Sequence, residues 1–79
     1  MDSYIATFFS HYDALVFFSF LNETGITAKL VPVPRRLSSS CGTCVAFETK
    51  QLPSHNADYE LDAIYKEVQD GFLKIWEYK

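Results

Sequence analysis

Apolar and polar positions come in distinct blocks along this chain, and their spacing predicts six elements in βαββαβ order. Residues 3–9 are dense in aromatic and β-branched side chains and predict a strand. Ser10 then has the form of a helix N-cap, with Asp13 three residues on in a capping-box-like position. The helix is expected from residue 11 to about 24, with Gly25 placed to end it in the left-handed conformation. Ala14, Phe17, Phe18 and Leu21 share its core-facing side, while Val16 and Phe20 fall on the opposite face, which should be wet. Residues 26–31 predict a second strand, ended by Pro32 and Pro34, which cannot donate to a ladder. Residues 44–49 predict a third strand, and 51–57 a polar connection. Leu61, Ile64, Tyr65 and Val68 then recur at i, i+3, i+4 and i+7, the spacing of a second helix closed by Gly71. Residues 72–78 alternate as a fourth strand, with Leu73 and Ile75 on one side and Phe72, Trp76 and Tyr78 on the other.

Two β-α-β halves joined by a hairpin make an α+β, ferredoxin-like βαββαβ two-layer sandwich. Right-handed crossovers then give a four-stranded antiparallel sheet in the order 4-1-3-2, with both helices on one face. In that layout His11 and the start of the first helix lie near the 32–44 loop, and His55 lies at the opposite edge.

Length and charge narrow the function classes. Residues 1–79 fit a single domain with a thin core. A net charge of −3 gives no electrostatic reason to approach nucleic acid or an anionic membrane. The opening residues lack a basic flank and a cleavage signal, and the longest apolar run, 14–21, is broken by Ser19. No secretory peptide and no membrane span are therefore expected. Two cysteines in an unexported chain read as thiols, so the cytoplasm is the expected compartment.

Chemistry concentrates between positions 32 and 44. Pro32 and Pro34 stiffen the entry, and Arg35 and Arg36 follow with fixed positive charge. Ser38, Ser39 and Ser40 precede Cys41 and Gly42, a run that can curl its N–H groups around an anion. In such a setting the Cys41 thiol would be drawn toward the reactive range, and Arg35, Arg36, Ser38, Ser39, Ser40 and Gly42 would form the substrate or anion site. The same residue types also make an ordinary polar hairpin loop.

The run Pro32-x-Pro34-Arg35-x-x-Ser38-Ser39-x-Cys41-Gly42 resembles a small bacterial family of selenium/sulfur carrier-like proteins. The opening 4–8 and the Ala14-Leu15 pair match it too, so the likeness covers nearly the whole chain. The resemblance implies a carrier in which Cys41 bears a transient persulfide or selenide, served by donor and acceptor proteins. Two features depart from the family pattern: the aromatic residues Phe17, Phe18 and Phe20 in the first helix, and the second thiol, Cys44.

Cys41 and Cys44 form a C-x-x-C, but the following segment predicts a strand rather than the helix of a thioredoxin motif. Three extended residues separate Cα atoms by roughly 10 Å, beyond the ~4.4–6.8 Å of a disulfide. A bond would need a turn at positions 42–43. Cys44 reads chiefly as a buried strand residue, with a resolving thiol as its alternative role. No metal and no organic cofactor are expected, because four convergent ligands and a phosphate-cradling glycine motif are both lacking. His11 reads as a solvated first-turn residue, and Asp58, Glu60, Asp62 and Glu67 as the charged side of the second helix. The competing function is a non-catalytic protein-binding or oligomerisation domain. Val16, Phe20 and the last strand's aromatics exceed what one small core covers, so a homodimer is expected. RNA binding on the sheet aromatics lacks a basic partner motif.

Overall fold

A computed structural model describes residues 1–37, 42–51 and 61–77. Along the chain come β1 (Asp2–Phe8), α1 (His11–Glu23), β2 (Thr27–Pro32), β3 (Thr43–Thr49), β4 (Leu61–Val68) and β5 (Gly71–Glu77). The five strands form one sheet in the order β2-β3-β1-β4-β5, with every neighbouring pair antiparallel.

The first half follows the local signals. Ser10, in extended conformation, accepts from the Asp13 N–H at 3.2 Å and donates to the Asp13 carboxylate at 2.6 Å. At the other end, Ile26 N–H bonds the Leu21 carbonyl at 2.9 Å and Gly25 N–H bonds that of Asn22 at 3.2 Å. Gly25 at φ +84° supplies the left-handed step that this closing motif requires.

The second half overturns the ferredoxin-like expectation. Among the described residues there is one helix and not two, and five strands rather than four. Positions 61–68 form β4, which takes the free edge of β1, with Phe8 opposite Leu61 and Tyr4 opposite Lys66. Gly71 does not cap a helix; it follows the turn of a tight hairpin, with Val68 opposite it. The physical reason lies in β1, which is buried without a break from Tyr4 to Phe8. A strand buried on both faces needs hydrogen-bonded neighbours on both edges. Register shifts opposite Phe8 and at Ile64/Tyr65 explain how a strand here carries buried residues at helix-like spacing.

The core lies between α1 and the sheet. Phe17 sets its ring 5.3 Å from that of Phe8 and 5.7 Å from that of Phe47, while Ala14 and Leu21 complete the buried helix face. Val16 and Phe20 are not the wet surplus expected, because both pack partly buried against this cluster. Nor do Phe72 and Trp76, the described aromatics of the last strand, form an exposed patch. Trp76 packs on the core and Phe72 is half-buried, while the exposed apolar residues there are Leu73 and Ile75. Tyr78, His55, Asp58 and Glu60 lie outside the described residues. No helix among the described residues is long and apolar enough to cross a membrane.

Candidate functional site

The loop between β2 and β3 closes at the end of the sheet where β1 runs into α1. Pro32 pairs with Thr43, and Val33 N–H then bonds the Gly42 carbonyl at 3.2 Å. On the neighbouring strands the same end carries Thr7, opposite Cys44, and Leu61, opposite Phe8. His11, exposed at the start of α1, belongs to that end as well. Ser38, Ser39, Ser40 and Cys41 lie outside the described residues, so the stated geometry covers the two limbs of the loop.

On the first limb, Leu37 N–H bonds the Pro34 carbonyl at 3.0 Å, closing a turn with Arg35 and Arg36 at its centre. Pro34 fixes its own φ ahead of this turn. Arg35 is exposed. Arg36 donates from Nη1 to the Asp70 carbonyl at 2.6 Å, a partner in the β4–β5 turn. That acceptor is neutral, a carbonyl and not a carboxylate.

On the second limb, Gly42 sits at φ +73° with open space where a side chain would be. The chain thus makes a left-handed step directly after Cys41, which a β-carbon would resist. Two positions later Cys44 is fully buried, with its thiol 3.7 Å from the Pro32 carbonyl. Buried thiols in such settings are shielded from reagents. Beside it Thr7, also fully buried, donates from Oγ1 to the Asp62 carboxylate at 3.2 Å and approaches the Ala63 carbonyl at 3.4 Å. Asp62 therefore belongs to a strand-to-strand hydrogen bond and not to a solvated helix face.

Of the residues singled out by sequence, the structure groups Arg35, Arg36 and Gly42 on one loop and places Cys44 beneath the sheet end from which that loop springs. Sequence reasoning missed Asp70 and Gly71 as neighbours of Arg36, and Thr7 as the neighbour of Cys44. The Asp70-Gly71 pair, a common hairpin signal, was available to find the first. Among the described residues no three His, Cys, Asp or Glu side chains converge as metal ligands would.

No curated protein and no solved structure matches the chain. A family model described as "Putative Se/S carrier protein-like" does match it, over residues 3–70, from the second residue of β1 to the end of the β4–β5 turn. The chain is a member of that family.

Proposed function

We propose that the protein is a sulfur or selenium carrier of the cytoplasm, with Cys41 as the acceptor. The observation that carries this reading is the family match across residues 3–70, which includes the whole 32–44 loop. Two features of the loop support it. Arg35 and Arg36 bring two fixed cations to a single turn, and the glycine after Cys41 adopts a conformation that keeps side-chain bulk away. Ser38, Ser39 and Ser40 would complete the anion site.

The chemistry is thiol exchange. The Cys41 thiolate attacks the terminal sulfur of a donor protein's persulfide. A new S–S bond forms on Cys41, the donor's S–S bond breaks, and the donor cysteine leaves as a thiolate with the electron pair. Discharge to an acceptor repeats the step, so no outside oxidant is required. Cationic neighbours favour the thiolate and hence both the loading and the exchange.

The test is the rate of Cys41 alkylation against pH. A midpoint well below the ordinary thiol value of ~8.5, moving upward in Arg35→Ala, is the expected result. A midpoint at the ordinary value in both proteins would remove the physical basis of the carrier reading.

A second reading is favoured by one observation: Leu73 and Ile75 are exposed on β5, the outermost strand on one side of the sheet. An apolar edge strand is a place for a second copy to add. Sedimentation at micromolar concentration should then show a homodimer, and Leu73→Lys should return it to monomer; a monomer throughout would end that reading.

A further inference from the structure

Alternation along the strands sorts their side chains onto two faces. Tyr4, Ala6 and Phe8 on β1, with Val45 and Phe47 on β3, belong to the core under α1. Ser3, Ile5, Ala46 and Glu48 therefore look out on the other face, together with Thr27 and Lys29 of β2, which pair with Glu48 and Ala46. That face carries a cleft of about 240 Å³, lined by described residues throughout. Its floor is Ile5, 7% exposed, and the small Ala46; its rim is Lys29, Glu48 and Glu67, all three exposed. The hollow forms because Ala46, opposite both Lys29 and Ile5, leaves a gap between two longer side chains.

The rim charges follow an order across the sheet. Lys29 on β2 stands diagonal to Glu48 on β3, since Lys29 opposes Ala46 and Thr27 opposes Glu48. Glu67 on β4 comes after Lys66, the partner of Tyr4, and so lies beside Ser3 on the far side of β1. Long side chains at diagonal positions of neighbouring strands can reach one another. Lys29 and Glu48 nevertheless stay apart across the opening, and the ion pairs among the described residues join Lys66 to Asp2 and Lys74 to Glu77. Two carboxylates against one ammonium leave the cleft negative, beside an apolar floor that strengthens its field.

We infer that this cleft binds a free basic α-amino acid of the lysine class. The α-carboxylate of such a molecule pairs with Lys29 and its α-ammonium with Glu48. Its methylene chain lies on Ile5 and Ala46, and its distal cation reaches Glu67. The ligand thus brings two cations and one anion to a site holding two anions and one cation. Glu48 and Glu67 stand two strand spacings apart, roughly 9–10 Å at the backbone, a span that a diamino chain and two glutamate side chains cover together. The Ser3 and Thr27 hydroxyls flank Glu48 and supply further hydrogen bonds to the α-groups. The volume agrees, falling just below the ~300–1,000 Å³ of sites for drug-sized ligands. A plain diamine would leave Lys29 unmatched, and a neutral amino acid would leave Glu67 unmatched. The cleft uses neither thiol, so it stands or falls separately from the exchange at Cys41.

Amide chemical shifts recorded as L-lysine is added, against sodium chloride of matched ionic strength, test the inference. Saturable shifts centred on Ile5, Ala46 and Glu48 are expected, with a Kd on the order of 1 mM or below. Norleucine, which lacks the distal cation, and cadaverine, which lacks the α-carboxylate, should each bind about fivefold more weakly, as for loss of one exposed charge pair. Glu67→Gln should weaken lysine about fivefold and leave norleucine unchanged, while Lys29→Met should weaken lysine about as much and leave cadaverine unchanged. Both positions are exposed, so both variants keep the fold, which the urea midpoint checks. Shifts that fail to saturate by about 10 mM, or equal affinity for lysine, norleucine and cadaverine, would overturn the site. Equal affinity for Nα-acetyl-lysine amide would overturn the free amino acid as its ligand, because a lysine side chain within a protein would then serve as well.

Discussion

On a helix over 61–68 Ile64 and Val68 would share one core face, whereas on β4 Val68 stands past the core at the hairpin end, so the two must differ sharply. Ile64 is 1% exposed, set among the core rings and opposite Trp76, while Val68 is 42% exposed at the hairpin end. Ile64→Ala removes buried carbons worth about 0.8 kcal/mol each, roughly 2.4 kcal/mol in transfer. The cavity left behind raises the expected cost to about 3–4 kcal/mol. For a domain of this size that is a shift in Tm of roughly 12–32 °C, and a large share of a total stability of ~4–12 kcal/mol. Val68→Ala should cost well under ~1 kcal/mol, as exposed positions do. Urea unfolding followed by far-ultraviolet circular dichroism reads both, and Ile64→Val, at about 1 kcal/mol, covers the case in which the alanine variant does not fold. Equal costs at Ile64 and Val68 would refute the strand.

Three further outcomes follow from the same geometry. Ser10→Ala should destabilise the protein by about 1 kcal/mol, because the Asp13 N–H loses its cap; the urea midpoint measures it. Gly42→Ala forces a β-carbon into a left-handed position and should cost about 1–2 kcal/mol, with faster amide exchange at Val33, whose hydrogen bond closes the loop. Lys74 holds its proton above the ordinary lysine value, chiefly through its hydrogen bond to Glu77 and then through Tyr65. A raised folded-state pKa stabilises fully below the unfolded value of 10.5 and is lost as pH climbs through the folded value. Glu77→Gln should therefore lower the Lys74 midpoint, followed by NMR titration, and flatten the small alkaline change in stability.

The elements that sequence reveals best here are those specified by neighbouring residues. α1 is marked at both ends, by Ser10 with Asp13 and by Gly25 before Ile26, and each signal is a local hydrogen bond in the structure. β4 is different, because Leu61, Ile64 and Val68 satisfy a helical spacing, while the strand's other buried residue, Ala63, carries no strand signal of its own. What decides the matter is the unfilled edge of β1, a partner more than fifty residues away. The site divides in the same way. Arg35, Arg36 and Gly42 stand out by chemistry alone, and the reading of Cys44 as a buried strand residue needs only its position in the strand. The Arg36–Asp70 contact spans 34 positions and follows from the path of the loop, which no local pattern encodes.

Intact-mass analysis of the protein after incubation with a cysteine desulfurase and cysteine tests the carrier assignment most directly. One added sulfur is expected, carried on Cys41 in tandem fragmentation, absent in Cys41→Ser and retained in Cys44→Ser, where it should last longer for want of a resolving thiol. An adduct that survives Cys41→Ser, or one shared equally between the two cysteines, would contradict the account.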